Sequence, residues 1–572
     1  MSAPEKYLYE FGPFEIHNTE RILIRAGEIV PLFPRAVDTL LVLIANRGRV
    51  LERGELVKLV WPDTTVEEGG LSRNISEIRR ALGQGTEDGQ YIETIPRRGY
   101  RFIAPVRVRR PEAVPADSHR RRGLAVLPLK MLFADPGQEA FCEAMNEALI
   151  TSLARIGALR VYQAEPGGIS ALTGSGKVEA ALEGACSLGS RQVRITVRLV
   201  ANTGDILWAE VYEDELRDII ELQGRVARDV ARQVQVNVTP HEQQQLARAH
   251  PVNPESYQAY LEGRFWWNRR TMEGFSRAIE SFELAITKDP MDGRAYSGLA
   301  DSYALLGSTP YNERPPKEMF PKAEELAKKA LDLDSSLAEA HTSLAFVKLA
   351  FDKDPAGAER DFRRAIELNP GYATARHWYG NMLMALGRLE EALVELTRAQ
   401  DLDARSLIIS SAVGRCHYYA GDYGQAIEHF LKALERDNTF VMLICNLGLA
   451  YSLRGQHEKA RTAFEKALDL APASPSVLAG LGYVCGRAGD ARKGHSQLAQ
   501  LEAVRAKKYV PAILFALVHA GLEEADAAFA RLEEARIERS DYLIYMKIDP
   551  AFATLRSDLR FGTAGDSSRK YA

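Results

Sequence analysis

The chain has 572 residues, more than one hydrophobic core can organise, so about three or four domains are expected. Hydrophobic residues make up 46% and charged residues 26%, the balance of an ordinary soluble globular protein. The net charge of −4 excludes a chain that is basic throughout, so any contact with a polyanion must be local.

In chain order, Phe14, Ile16, Ile22, Ile24, Ile29 and Leu32 give short alternating strands, with turns near His17–Glu20 and Ala26–Gly27. A helix follows over Arg35–Asn46 with Val37, Leu40, Leu41 and Ile44, and a second opens at Leu51–Leu56 and ends at Val60-Trp61-Pro62. In the third, Leu71, Ile75, Ile78 and Leu82 gather on one stripe at the helical period. Arg73, Ser76, Glu77 and Arg80 then face away, with Ser72 and Arg79 on the flanks. Tyr91–Phe102 reads as a β-hairpin with Arg97 and Arg98 at its tip. Leu71–Arg110 holds nine arginines against four carboxylates, the local surplus that phosphate contact needs. A small, polar, cationic helix face beside an arginine-tipped hairpin fits duplex DNA, whose major groove admits one helix. The competing reading, a surface helix with solvated charges, leaves the hairpin and the upstream helices unexplained.

With these landmarks in order, Tyr7–Val108 resembles the DNA-binding domain of the OmpR/PhoB-type winged helix-turn-helix regulators. The match to the ToxR and CadC kind is without their membrane span, since no uninterrupted apolar run approaches about 18 residues. No receiver domain precedes the winged helix, and no signal peptide opens the chain. The resemblance implies Arg73, Ser76 and Arg80 at base edges or adjacent phosphates, Ser72 and Arg79 on phosphates, and Arg97 and Arg98 on backbone or minor groove. Glu77 either accepts from a cytosine amine or pairs with Arg73 or Arg80. The resemblance also implies contact with RNA polymerase and dimerisation on DNA. The Pro62–Gly70 segment that contacts polymerase in some relatives is acidic here.

Residues 109–122 (RRPEAVPADSHRRR) lack periodicity and read as a linker. From 123 to 245 an α/β sandwich is expected: a strand at Gly123–Leu129, a helix over Glu139–Ile156, a strand at Leu159–Tyr162, and a hairpin of Arg191–Val200 and Ile206–Tyr212. A helix at Asp218–Val236 closes it. Leu182–Gly184, LWAEVYEDEL and Glu221–Gln223 give it a resemblance to the TolB-N-like module. Thr173–Lys177 (TGSGK) is no P-loop, because Ala171 and Val178 stand where Gly and Ser/Thr are required.

The remainder repeats. Leu337–Pro370, Gly371–Ala404, Arg405–Asn438 and Thr439–Pro472 are contiguous blocks of equal length. Gly387, Gly421 and Gly455 recur in register, as do Phe362, Leu396, Phe430 and Phe464. This is the tetratricopeptide pattern, with looser copies on both sides making seven or eight units over residues 255–545, then a tail at 546–572. Phe265-Trp266-Trp267 fits core packing better than a base-stacking platform.

The fold class expected is therefore multidomain: a winged helix (α+β), an α/β sandwich and an α-helical tetratricopeptide solenoid. The function expected is a sequence-specific, cytoplasmic, one-component transcriptional regulator, with the repeat array sensing a protein or a ligand. Its partners are double-stranded DNA and a protein or peptide on the repeats, with no membrane. No catalytic arrangement, cofactor or metal site is expected. His341, His377 and His417 are unevenly spaced, and Cys142, Cys186, Cys416, Cys445 and Cys485 read as separate reduced thiols. The alternative is a repeat scaffold whose winged helix does not read DNA.

Overall fold

The computed structural model divides into two compact units, Met1–Arg120 and Arg121–Ala572. It describes residues 8–17, 23–25, 28–30, 32, 34–60, 68–83, 90–96, 98–109, 121–131, 136–165, 177–189, 191–236, 238–239, 242–243, 246, 252–309, 311 and 314–561. Arg97, the acidic residues Asp63 and Glu67, most of the expected linker and Thr173–Gly176 lie outside the described residues.

The first unit opens with a meander, β1 (Leu8–Phe11), β2 (Phe14–His17), β3 (Leu23–Arg25) and β4 (Glu28–Val30). Then follow α1 (Pro34–Ala45), β5 (Leu51–Glu52), α2 (Arg53–Val60), α3 (Glu68–Ala81), and the wing of β6 (Ile92–Ile95) and β7 (Gly99–Phe102). The last strand, β8 (Arg107–Arg109), returns to pair antiparallel with β1. Arg109, assigned to the linker from sequence, is thus part of the domain, opposite Leu8. The two sheets run β4-β3-β2-β1-β8 and β5-β7-β6. Their shared core includes Phe11, Phe14 and Phe102, with Phe11 edge-on to Phe102 at 5.3 Å. Leu71, Ile75, Ile78 and Leu82 are buried in that core, as the helical stripe requires.

The second unit begins with β9 (Arg122–Val126), β10 (Lys130–Met131), α4 (Pro136–Ala154), β11 (Leu159–Gln163), β12 (Ala180–Leu188), β13 (Gln192–Ala201), β14 (Ile206–Glu215) and α5 (Ile219–Gln233). A sheet ordered β11-β9-β12-β13-β14, with β10 beside β12, packs against α4 and α5. The Asn202–Asp205 turn joins β13 to β14 as expected, with Gly204 at φ +92. The central strand β12 had no counterpart among the expected strands. At its Gly184 a Cβ would lie 2.2 Å from the Thr196 carbonyl oxygen, so only glycine admits β13 at that distance. Cys142 of α4 and Cys186 of β12, far apart in sequence, lie side by side with Cα atoms 6.0 Å apart. Both side chains face the core that α4 makes with the sheet. Cys416, Cys445 and Cys485 are free; burial pushes the Cys416 thiol up to about 11 and that of Cys445 up to about 12.

The repeats follow as helix pairs: α6 (Pro254–Asn268) with α7 (Met272–Lys288), α8 (Gly293–Leu306) with α9 (Pro316–Leu333), α10 (Ala338–Val347) with α11 (Pro355–Leu368), and α12 (Ala373–Ala385) with α13 (Leu389–Leu402). Next come α14 (Leu407–Tyr419) with α15 (Tyr423–Leu434), α16 (Val441–Leu453) with α17 (His457–Leu470), α18 (Pro475–Arg487) with α19 (Ala491–Arg505), and α20 (Ala512–Gly521) with α21 (Ala525–Glu538). Phe464 of α17 is wedged between α16 and α18, where a Cβ on Gly448 or Gly480 would come within 2.6 or 2.2 Å of its ring. Gly480→Ala should therefore overpack this seam and cost about 1–3 kcal/mol, read as an earlier urea transition of the full chain. Trp267 is fully buried, so the Phe-Trp-Trp run serves packing.

The sheet domain and the repeats share one core: Tyr257 and Leu261 of α6 and Leu402 of α13 pack with α4, α5 and the strands. Arg160 pairs with Asp401 at 3.1 Å, and Arg398 donates to the Val161 carbonyl at 3.2 Å. The start of the expected tail packs on the repeats. After Arg539, at φ +60, the chain reverses through short turns at Asp541–Tyr545 and Pro550–Leu555. Met546, Phe552 and Leu555 are buried there against the repeat helices. Asp541 accepts from the Thr309 amide and hydroxyl, and Tyr418 donates to Asp549 at 3.2 Å.

Candidate nucleic-acid interface

The exposed face of α3 follows from how its other faces are occupied. The apolar stripe is in the core, and Asn74 donates its side-chain amide to the Thr39 hydroxyl of α1 at 3.1 Å. That bond sets the rotation of α3 about its own axis. Ser72, Arg73, Ser76 and Arg80 are left exposed on the outer face, the Ser76 hydroxyl donating back to the Ser72 carbonyl at 3.0 Å. Among the described residues neither Arg73 nor Arg80 has a carboxylate within ion-pair distance, and Glu77 does not form the pairing with Arg73 or Arg80 weighed from sequence. Two uncompensated guanidiniums, two helical turns apart, thus stand on one exposed surface.

Arg79 does not share that surface. Its Nη2 donates to the Ile92 carbonyl at 3.0 Å and to the Thr94 hydroxyl at 2.6 Å, tying α3 to β6. These bonds give Arg79, expected on a phosphate, a positioning role as well, because the first strand of the wing runs beside the helix flank and offers two acceptors. Arg79→Ala should cost the first unit about 1–2 kcal/mol of stability. A residue that only contacted phosphate would leave stability unchanged and lower the salt slope of binding by about 1.

On the wing, Arg101 pairs with Glu93 through Nε and Nη2, at 3.0 and 2.6 Å, so its charge is spent across the hairpin. Arg98 is exposed at the tip with no carboxylate partner among the described residues. Sequence reasoning missed Asn74 and Thr94; the usable signal was a polar residue on the apolar side of the α3 wheel. The surface can meet a polyanion, and no group of three metal-ligating side chains is found among the described residues.

Residues 27–102 match the family model described as transcriptional regulatory protein, C terminal. Tetratricopeptide repeat models match residues 352–415, 412–440 and 443–474. The chain is similar to the transcriptional regulator HilA of Salmonella typhimurium, 24% identical over 464 residues that cover 78% of this chain and 80% of HilA. It is also similar to the transcriptional activator CadC of Escherichia coli, 39% identical over 83 residues, 14% of this chain and 16% of CadC. The solved DNA-binding domain of E. coli CadC matches at 32% identity over 18% of this chain and 97% of that domain, with a TM-score of 0.17. No described helix is long and apolar enough to cross a membrane.

Proposed function

We infer, from an N-terminal domain of the OmpR/PhoB winged-helix type joined to tetratricopeptide repeats, that this chain is a sequence-specific DNA-binding transcriptional regulator. The observation that carries the reading is the outer face of α3, where Arg73 and Arg80 stand uncompensated with Ser76 between them and Ser72 next to Arg73. A helix presenting that face can enter a major groove, with arginine placed for guanine and serine for phosphate or base. Arg98 at the wing tip then meets the backbone beside it.

The finer reading follows from the same domain. Two copies bind DNA head to tail, the domain also contacts RNA polymerase, and the protein acts in the cytoplasm without catalytic activity of its own. The repeats present a surface to a protein partner.

The test is fluorescence anisotropy of the full chain on DNA from upstream of its own gene, against a scrambled duplex, across salt. Tighter binding to the upstream DNA by about 10³-fold, with a steep negative salt slope, is expected. Binding to neither duplex at low salt would favour the scaffold reading instead.

A further inference from the structure

A cavity of about 770 Å³ runs along the inner side of the repeats. Its walls are largely aromatic and apolar, including Phe346, Trp378, Tyr419 and Tyr545. That volume lies in the range of about 300–1,000 Å³ usual for small-molecule sites.

The charges in it are unbalanced. Elsewhere in the repeats, poorly exposed arginines have carboxylates: Arg264 has Glu147, Arg294 has Asp292, and Arg376 has Glu395. Arg270 and Arg415 line the cavity, and neither has a carboxylate within ion-pair distance among the described residues. Arg270 lies over the Trp267 ring at 3.5 Å, held at φ +55 just past α6. Arg415 donates through Nη2 to Asn381 at 3.0 Å, while its Nε is buried without a partner, as is the Tyr311 hydroxyl. Asn381 and Arg415 occupy the same position in successive repeats, so both project from first helices onto one groove.

Both arginines act on the same neighbours. Burial, with Arg270 and Arg415 beside it, holds the His377 imidazole well below its usual range and therefore neutral. Of the two carboxylates that line the space, Asp541 accepts from the amide and hydroxyl of Thr309 and Asp437 from those of Thr439. Cations drawn partly out of water without a counter-charge are costly, so an anion that enters the cavity is favoured there.

We propose that this cavity binds a small organic anion, a carboxylate or a phosphate monoester on an aromatic or apolar body, with Arg270 and Arg415 as its counter-charges. An extended peptide does not fit the same place, because Asp541–Leu555 of this chain already lies along the groove. The site belongs wholly to the second unit and stands independently of the reading of α3.

Calorimetric titration of the full chain with benzoate, phenyl phosphate and neutral benzamide tests it. One of the two anions is expected to bind and raise Tm, which of them distinguishing carboxylate from phosphate, while benzamide does not bind. Arg270→Gln and Arg415→Gln should each weaken that binding by roughly ten- to 100-fold. Without ligand both variants should melt at or above the wild-type temperature, because an uncompensated charge has been removed. No binding of either anion up to about 10 mM, where affinity becomes negligible, overturns the proposal. So does equal binding by benzamide, or a large fall in the melting temperature of the unliganded variants, which would make the arginines structural.

Discussion

Arg264→Gln is expected to destabilise the second unit by about 3–5 kcal/mol, the usual cost of removing one partner from a buried pair. Arg264 is only 5% exposed, and it joins three elements: its own α6, Glu147 of α4 at 3.1 Å, and Asp301 of α8 at 3.6 Å. Its guanidinium also lies over the Trp267 ring at 4.7 Å. Asp301 is fully buried, and its other oxygen accepts from the Ser343 hydroxyl at 2.5 Å. Glu147 is substantially exposed and can return to water, so the loss falls on Asp301. Burial pushes the Asp301 carboxyl up to about 6 even with Arg264 beside it. A raised carboxyl favours the protonated folded state, so its contribution is present at low pH and is lost as pH rises from about 4, the free value, through about 6. Without Arg264 the folded value moves higher still. The deficit in urea-unfolding free energy relative to wild type should therefore be smaller at pH 5 than at pH 8. Asp301→Asn in the Arg264→Gln background should recover most of it. A deficit independent of pH, or no recovery, would place the effect in lost packing against Trp267.

How far such features are legible in a sequence depends on what carries them. The stripe Leu71, Ile75, Ile78 and Leu82 repeats at the helical period, and the repeats recur in register because each pair packs on the next through the same positions, as Phe464 does between Gly448 and Gly480. Both were legible, and so was the exposed face of α3, which is what remains once the stripe is buried. The strand β12 was not: AALEGACSL has no β-branched residue, and only its neighbours on both sides make it central. Arg79 sits on the flank of the helical wheel, and periodicity cannot say that β6 will run past that flank. The return of the C-terminal segment into the groove and the meeting of Cys142 with Cys186 depend on distant elements packing together, for which local pattern holds no signal. The role of Arg264 was hidden in the same way, because its partners come from two other helices.

Arg73→Ala combined with Arg80→Ala should lower specific DNA binding by about 2–6 kcal/mol, twice the cost of one lost bidentate base contact. The two residues lie seven positions apart on α3, a separation of roughly 10 Å along the helix axis. At that distance, with no shared partner in the domain, their losses should add to within a few tenths of a kcal/mol, about the limit seen for independent sites. Neither side chain is spent on an internal ion pair, so neither substitution should shift the urea transition of the chain. Anisotropy on a panel of operators mutated one base pair at a time separates the possible roles. A base-reading arginine, once removed, makes the chain indifferent to one position, and the positions lost with Arg73 and Arg80 should differ by about three base pairs, given that axial spacing. Arg98→Ala should instead weaken binding uniformly and reduce the salt slope by about 1, the behaviour of a phosphate contact. If Arg80→Ala behaves as Arg98→Ala does, the helix end that carries Arg80 lies over the backbone, and base reading falls to Arg73, Ser72 and Ser76 nearer its start. If neither arginine variant changes binding while Arg98→Ala does, α3 is not in the groove, and the interface must be rebuilt around the wing.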